Sequence, residues 1–211
     1  MTSCDDSVVA DLLQVETALI DEGCFLEIVS PRQQVAKVLS SAGLHARGDD
    51  CATPSDLSII DHRLLGADGR VNRIAAAADA LMHLVRPDMS NVQVVDPWDD
   101  SLKISTHHGF HQAFLSHFAR VADDSSACGT AMRQRDLVTV TDVASSPIFV
   151  GTKALDVLTD AGVRAVESMP YFDLSDELVG VISMHHSTPG TRPKRDHMLL
   201  RLLAARLGAL W

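Results

Sequence analysis

Apolar positions recur along the chain first at helical spacing and then at strand spacing. Residues 8–20, VVADLLQVETALI, place apolar side chains at 8, 12, 15 and 19 and again at 9, 13 and 20, one face of an amphipathic helix. A second helix is expected after Ser30: that residue supplies an N-cap, Pro31 a preset first helical position and Gln33 a capping-box partner, with the run ending near Ser41 and Gly43. From Gly43 to about Asp56 glycine, acid and small polar residues alternate without a period that could bury a face, so this stretch is expected to be a linker. VNRIAAAADALMHLV then sets apolar residues at 71, 74, 75, 78, 81, 82 and 85, a strong helical pattern halted before Pro87.

Past Pro87 the period changes. NVQVV and LKIST are short β-rich segments separated by DPWDD, which predicts a hairpin. Phe110, Phe114 and Phe118 stand four apart and would line one face of a short helix after Gly109. Ser125 or Ser126 can cap a further short helix over Ala127–Gln134. LVTVTDV reads as a strand, KALDVLTDA as a helix stopped by Gly162, and VRAVESMPYF and ELVGVISMHH as two strands joined by DLSD. The last segment, MLLRLLAARLGALW, carries a leucine stripe at 199, 200, 203, 207 and 210 that can lie on the domain and present apolar surface to a second copy. The order from about Arg63 suits an α+β fold, an antiparallel sheet with helices on both faces. The expected division is a helical extension and linker over 1–60 and a domain over 61–211.

Composition narrows the function classes. With 46% apolar and 22% charged residues, the 211-residue chain is expected to fold around a sizeable core. A formal charge of -10 repels phosphate backbones and anionic lipid. The densest basic stretch, Arg192, Lys194, Arg195, Arg201 and Arg206, spreads along an expected helix as a solvated face, so neither nucleic acid nor membrane is expected as a partner. The sequence has no apolar run near the roughly twenty residues a membrane helix needs, and MTSCDDSVV is acidic where a secretory leader is basic, so a cytoplasmic location is expected. Cys4, Cys24, Cys51 and Cys128 are far apart and form no C-x-x-C pair, so reduced thiols are expected.

Read together, HHGFHQAFLSHFARV, SSACGTAMRQRDLVTVTDVASSPIF, AGVRAVESMPYF and ELVGVISMHH resemble a GAF domain of the bacterial signalling type, as found beside PAS domains and histidine kinases. The anchors are Gly109-Phe110, Ser126-Ala127-Cys128-Gly129, Thr141-Asp142-Val143, Ala161-Gly162-Val163-Arg164, Pro170 and Gly180. The likeness covers about Arg63 to Trp211, and the first sixty residues carry no signature that names an activity. It implies a sensory module that holds a small molecule between the sheet and the helices above it. No output domain is read after the last helix, so any signal is expected to leave through a signalling protein partner or a homodimer built on the terminal helices. The cofactor and the ligand stay unnamed.

Strand alternation puts Ser183 and His185 on one face of GVISMHH with Val181, and Ile182, Met184 and His186 on the other. By resemblance Ser183 and His185, with Ser168 on the neighbouring strand, face the pocket; as plain residues they serve equally well as satisfied polar groups in a filled core. Phe110, Phe114 and Phe149 bound the same region, and Asp142 stands near it or caps its own turn. Cys128 sits at a helix N-terminus, where the dipole would favour a thiolate. The same cysteine position occurs in the free methionine-(R)-sulfoxide reductases, which are GAF enzymes, but by that likeness they need further cysteines after the DV strand and acidic residues on the last strand. Here Ser145–Val150 holds no cysteine, and Ser183 and His185 stand where carboxylates would be expected. A structural cysteine in a non-enzyme is therefore the expectation, thiol chemistry the alternative, and a scaffold with an empty pocket a third. His107, His108, His111 and His117, with His185 and His186, invite a metal or haem, but Gly109 interrupts any helix that would align His107 with His111, and no nearby cysteine or carboxylate motif has metal-site spacing. Bilin attachment is not expected without a Cys-His pair.

Overall fold

The computed structural model describes residues 52–211. The helices expected over 8–20 and 30–41, and most of the expected linker, lie outside the described residues.

The chain forms α1 (Pro54–Leu65), α2 (Gly69–Leu84), β1 (Met89–Val95), β2 (Leu102–His108), α3 (Gln112–His117), α4 (Ala127–Gln134), β3 (Val138–Val140), α5 (Lys153–Asp160), β4 (Ala165–Phe172), β5 (Leu178–His186) and α6 (Lys194–Ala209). One five-stranded sheet runs in the order β2-β1-β5-β4-β3, antiparallel throughout. The expected hairpin is β1–β2, and the central pair β1–β5 joins it to the hairpin β4–β5.

Two cores lie on opposite faces of the sheet. Ile60 and Leu64 of α1, Ile74 and Leu81 of α2 and Leu199, Leu200 and Leu203 of α6 pack against Ile182 and Met184 on one face. The rings of Phe110, Phe114, Phe118 and Phe149 pack with Leu158, Val166 and Val181 on the other. Residues 181 and 182 thus fall in different cores, as the two-residue strand period requires. Gly180 permits the close packing at the far end of this strand: a Cβ there would lie 2.0 Å from the Gln93 carbonyl oxygen and 2.6 Å from the Tyr171 hydroxyl. That hydroxyl donates to the same Gln93 oxygen at 3.2 Å, which satisfies a buried phenol.

Three expectations need correction. The end of the expected linker is the start of α1: Thr53 accepts from the Asp56 amide at 3.2 Å, Asp56 accepts from the Thr53 amide at 2.8 Å, and Pro54 presets the first turn. This helix crosses the expected division at residues 60 and 61. In α2 the buried stripe runs through Ile74, Ala77, Ala78 and Leu81, and Val71, in the first turn, is 74% exposed. Of the α6 leucine stripe, 199, 200, 203 and 207 are buried within the protomer against α1, α2 and the sheet, and Leu210, at its end, is half-buried. An Arg195–Asp56 ion pair at 2.8 Å ties α6 to the first turn of α1. No helix among the described residues is long and apolar enough to cross a membrane.

Candidate functional site

Three strands supply the floor of a recess under α3, α4 and α5. Asn91 and Gln93 come from β1, Ser168 from β4, and Ser183 and His185 from β5. Registers Asn91↔Ser183 and Ser168↔Ser183 set these side chains in a row across the middle of the sheet, and the Ser168 and Ser183 hydroxyls bond at 2.8 Å. The lid is apolar: Phe114 and Phe118 from α3 and its end, Phe149 from the loop before α5, and Leu158 from α5.

Gly109 makes the lid possible. Its φ of 78° turns the chain from β2 toward α3, and a Cβ would meet Met89 Cγ at 2.7 Å. Released from the strand, Phe110 stacks on Phe114 with centroids 3.6 Å apart, and Phe114 leans on Phe118 at 4.6 Å. The edge of His185 meets Phe110 at 4.9 Å. The free volume left is about 20 Å³, room for one water on a scale where each needs about 10–15 Å³. Phe114 and Phe118, with Phe110 stacked behind, therefore leave the recess little free volume in this conformation.

His185 is buried on the recess floor. Burial, reinforced by nearby His186, pushes its pKa down to about 3, so the ring is neutral at neutral pH. Its Nε2 lies 3.2 Å from Asn91 Nδ2. Asn91 Oδ1, Gln93 Oε1 and His185 Nδ1 find no hydrogen-bond partner among the described residues. The described lining contains no Asp, Glu, Lys or Arg.

Cys128 lines the recess from the first turn of α4. Ser126 caps that helix by accepting from the Gly129 amide at 3.1 Å, and its hydroxyl stands 3.2 Å from the Cys128 sulfur. Burial pushes the thiol up from its ordinary range, outweighing the lowering effects of Ser126 and the helix amides. A neutral buried thiol is a poor nucleophile, so the dipole argument made from sequence is overruled by desolvation.

The structure therefore gathers Phe114, Cys128, Phe149, Ser168, Ser183 and His185 around one recess. Phe110 stands behind Phe114 in the ring stack. Asp142 lies outside: it accepts from the Ala144 amide at 3.1 Å and pairs with Arg164 at 3.2 Å on a surface turn. Of the early histidines, His107 and His108 end β2, His111 stands at the N-terminus of α3 without a side-chain cap bond, and His117 lies edge-on to Phe118. Asn91 and Gln93 were missed in the sequence. Polar residues two apart on a strand read as a solvent face, and only the central place of β1 in the sheet order turns them inward.

A second cluster lies behind the sheet. Glu167 is fully buried, with His186 Nε2 and His197 Nε2 each 3.4 Å from a different carboxylate oxygen. Burial pushes this carboxyl up, but the two imidazoles together outweigh that and hold it below the usual range. Because His197 belongs to α6, the contact links the floor strands to the last helix.

A family model described as the GAF domain matches residues 8–210. None of the curated proteins matches the sequence. Solved structures that resemble the chain include the GAF domain of an Acinetobacter phosphoenolpyruvate-protein phosphotransferase, at TM-score 0.61 and 11% identity, covering 74% of this chain and 90% of that one. A free methionine-R-sulfoxide reductase from Neisseria meningitidis, in complex with its substrate, is similar at TM-score 0.60 and 19% identity, with the same coverages of 74% and 90%. A domain of a two-component sensor histidine kinase protein from Sinorhizobium meliloti 1021 is similar at TM-score 0.53 and 13% identity, covering 64% and 85%.

Proposed function

Because this chain belongs to the GAF domain family, we propose that it is a non-catalytic sensory protein that takes a small molecule in the recess and reports it through its flanking helices. The observation that carries this reading is the recess itself, whose buried floor keeps three polar atoms without a partner among the described residues beneath a lid of aromatic rings. A pocket of that kind, mostly apolar with a few converging polar groups, is how small ligands are ordinarily held. The route outward is short: β4 and β5 carry Ser168, Ser183 and His185 on one face and Glu167 and His186 on the other, against His197 of α6. A ligand that draws on these strands thereby changes the seat of the last helix. A signalling partner or a second copy would read that change in the cytoplasm of a bacterium. Since most of the α6 leucines are buried, a homodimer through the terminal helices would use the outer face of α6, with Leu210 and Trp211 at its end, and the outer face of α1. Size-exclusion chromatography with light scattering tests this point, and a strict monomer at high concentration removes it.

Native mass spectrometry of freshly purified protein, with its absorption spectrum, tests the ligand claim. A bound small molecule is expected in the wild type and is expected to be lost in Ser183→Phe, whose ring would fill the recess. Bare polypeptide mass together with one stoichiometric protein partner would favour the empty scaffold. A second reading, reduction of a free sulfoxide at Cys128, draws on the likeness to the Neisseria enzyme. The raised thiol and the lack of a cysteine in Ser145–Val150 speak against it. Wild type and Cys128→Ser are both expected to be inactive in a methionine-R-sulfoxide assay; turnover lost in the variant would establish the enzyme instead.

A further inference from the structure

The floor of the recess specifies more than the presence of a ligand. Asn91, Gln93 and His185 are 4%, 1% and 4% exposed, and each keeps one polar atom without a partner among the described residues. An amide nitrogen only donates, so with Asn91 Nδ2 beside His185 Nε2 the neutral ring carries its proton on Nδ1. The unused set is then two acceptors, the carbonyl oxygens of Asn91 and Gln93, and one donor, His185 Nδ1. Turning the Asn91 amide over makes His185 Nδ1 an acceptor and Asn91 Nδ2 the free donor, which leaves the sum unchanged. No charged side chain in the described lining stands ready to compensate an ion. A carboxylate, phosphate or ammonium group would have to give up water without a counter-charge.

We propose that the recess takes an uncharged ligand of the carboxamide class, its polar head on Asn91, Gln93 and His185 and an apolar body against the phenylalanine lid. This rests on the reading of the recess as a ligand site. A primary carboxamide matches the unused set group for group, its NH₂ supplying two donors and its carbonyl one acceptor. The present volume of about 20 Å³ admits no more than one small polar group, so the body enters as Phe114 and Phe118 turn outward on the short helix that follows Gly109. One feature favours an anion, the N-terminus of α4, but Ser126 already accepts from its Gly129 amide.

Three molecules of one shape test this on the full chain: benzamide, benzoate and benzylammonium, titrated at pH 7.5 by calorimetry and amide NMR. Benzamide is expected to bind about tenfold or more tighter than either ion, and Asn91→Leu and Gln93→Leu each to weaken it about tenfold, the loss of one hydrogen bond in a buried site. Should a leucine variant fail to fold, Asn91→Asp serves, and it is expected to turn the preference toward benzylammonium. Equal or tighter binding of either ion by the wild type, or unchanged benzamide binding in the leucine variants, overturns the proposal. Binding of none of the three overturns the carboxamide class alone if freshly purified protein carries another small molecule in its native mass. If that mass is bare polypeptide as well, the ligand site falls with it.

Discussion

His185 shows how a single side chain carries both fold and chemistry. A histidine in an unfolded chain titrates near pH 6.5, and burial here brings that value down to about 3. Because the folded state binds the proton less tightly than the unfolded one, stability is full above pH 6.5 and falls as the pH drops from there toward 3. Between pH 7.5 and pH 5 this single group is expected to remove about 2 kcal/mol, and His185→Leu to flatten that limb of the stability curve. Urea titrations at a series of pH values measure it; identical slopes in wild type and variant would mean that the ring is hydrated. The residue was legible because strand alternation groups it with Ser183 and Val181, and the family resemblance turns that face toward the pocket. Asn91 and Gln93 were not, since their burial is decided by which strand lies alongside β1, and pairing order is not written in a local pattern.

At the scale of elements, the same sheet is pinned from behind. Glu167 holds His197 of α6 from a fully buried position, and its folded carboxyl titrates below the usual range. The loss runs in the same direction as that of His185 but at lower pH: the contribution is present above pH 4.5 and is lost as pH falls below it. Glu167→Gln is expected to blunt this acid loss, and the protection factors of the α6 amides, taken relative to intrinsic exchange at each pH, are expected to fall less with falling pH than in the wild type. Gly180 sets a steric limit on β5. Gly180→Ala would press a methyl group onto the Gln93 carbonyl, an overpacking that costs about 1–3 kcal/mol; a denaturant midpoint equal to the wild type's would contradict it. Most elements were legible from period and punctuation, α4 to both its ends, with its cap narrowed to Ser125 or Ser126. The first described helix was not, although Thr53-Pro54-Ser55-Asp56 spells a capping box, because its surroundings are too polar for a periodic signal to stand out. The outward-facing Val71 has the same lesson in reverse, since an apolar residue in a first helical turn can fit the period without reaching the core.

For the whole molecule, the joint order of motifs made the fold legible where no single motif did. The recess was legible from resemblance and alternation, but its narrowness was not: nothing in the spacing of Phe110, Phe114 and Phe118 says that the rings stack inward and leave about 20 Å³. On the proposed reading, this narrow recess above unused polar groups is one end of an equilibrium in which ligand entry and movement of α3 are coupled. The three helices above the floor, α3, α4 and α5, are then the part that a bound molecule is expected to quieten.

Hydrogen exchange over the full chain tests that coupling most directly, comparing protein as isolated with the same protein unfolded, stripped of small molecules and refolded. The account predicts faster exchange in α3, α4 and the middle of β5 after stripping, with protection returned by adding back the released small-molecule fraction. Identical exchange in the two preparations, with nothing released on unfolding, would contradict it.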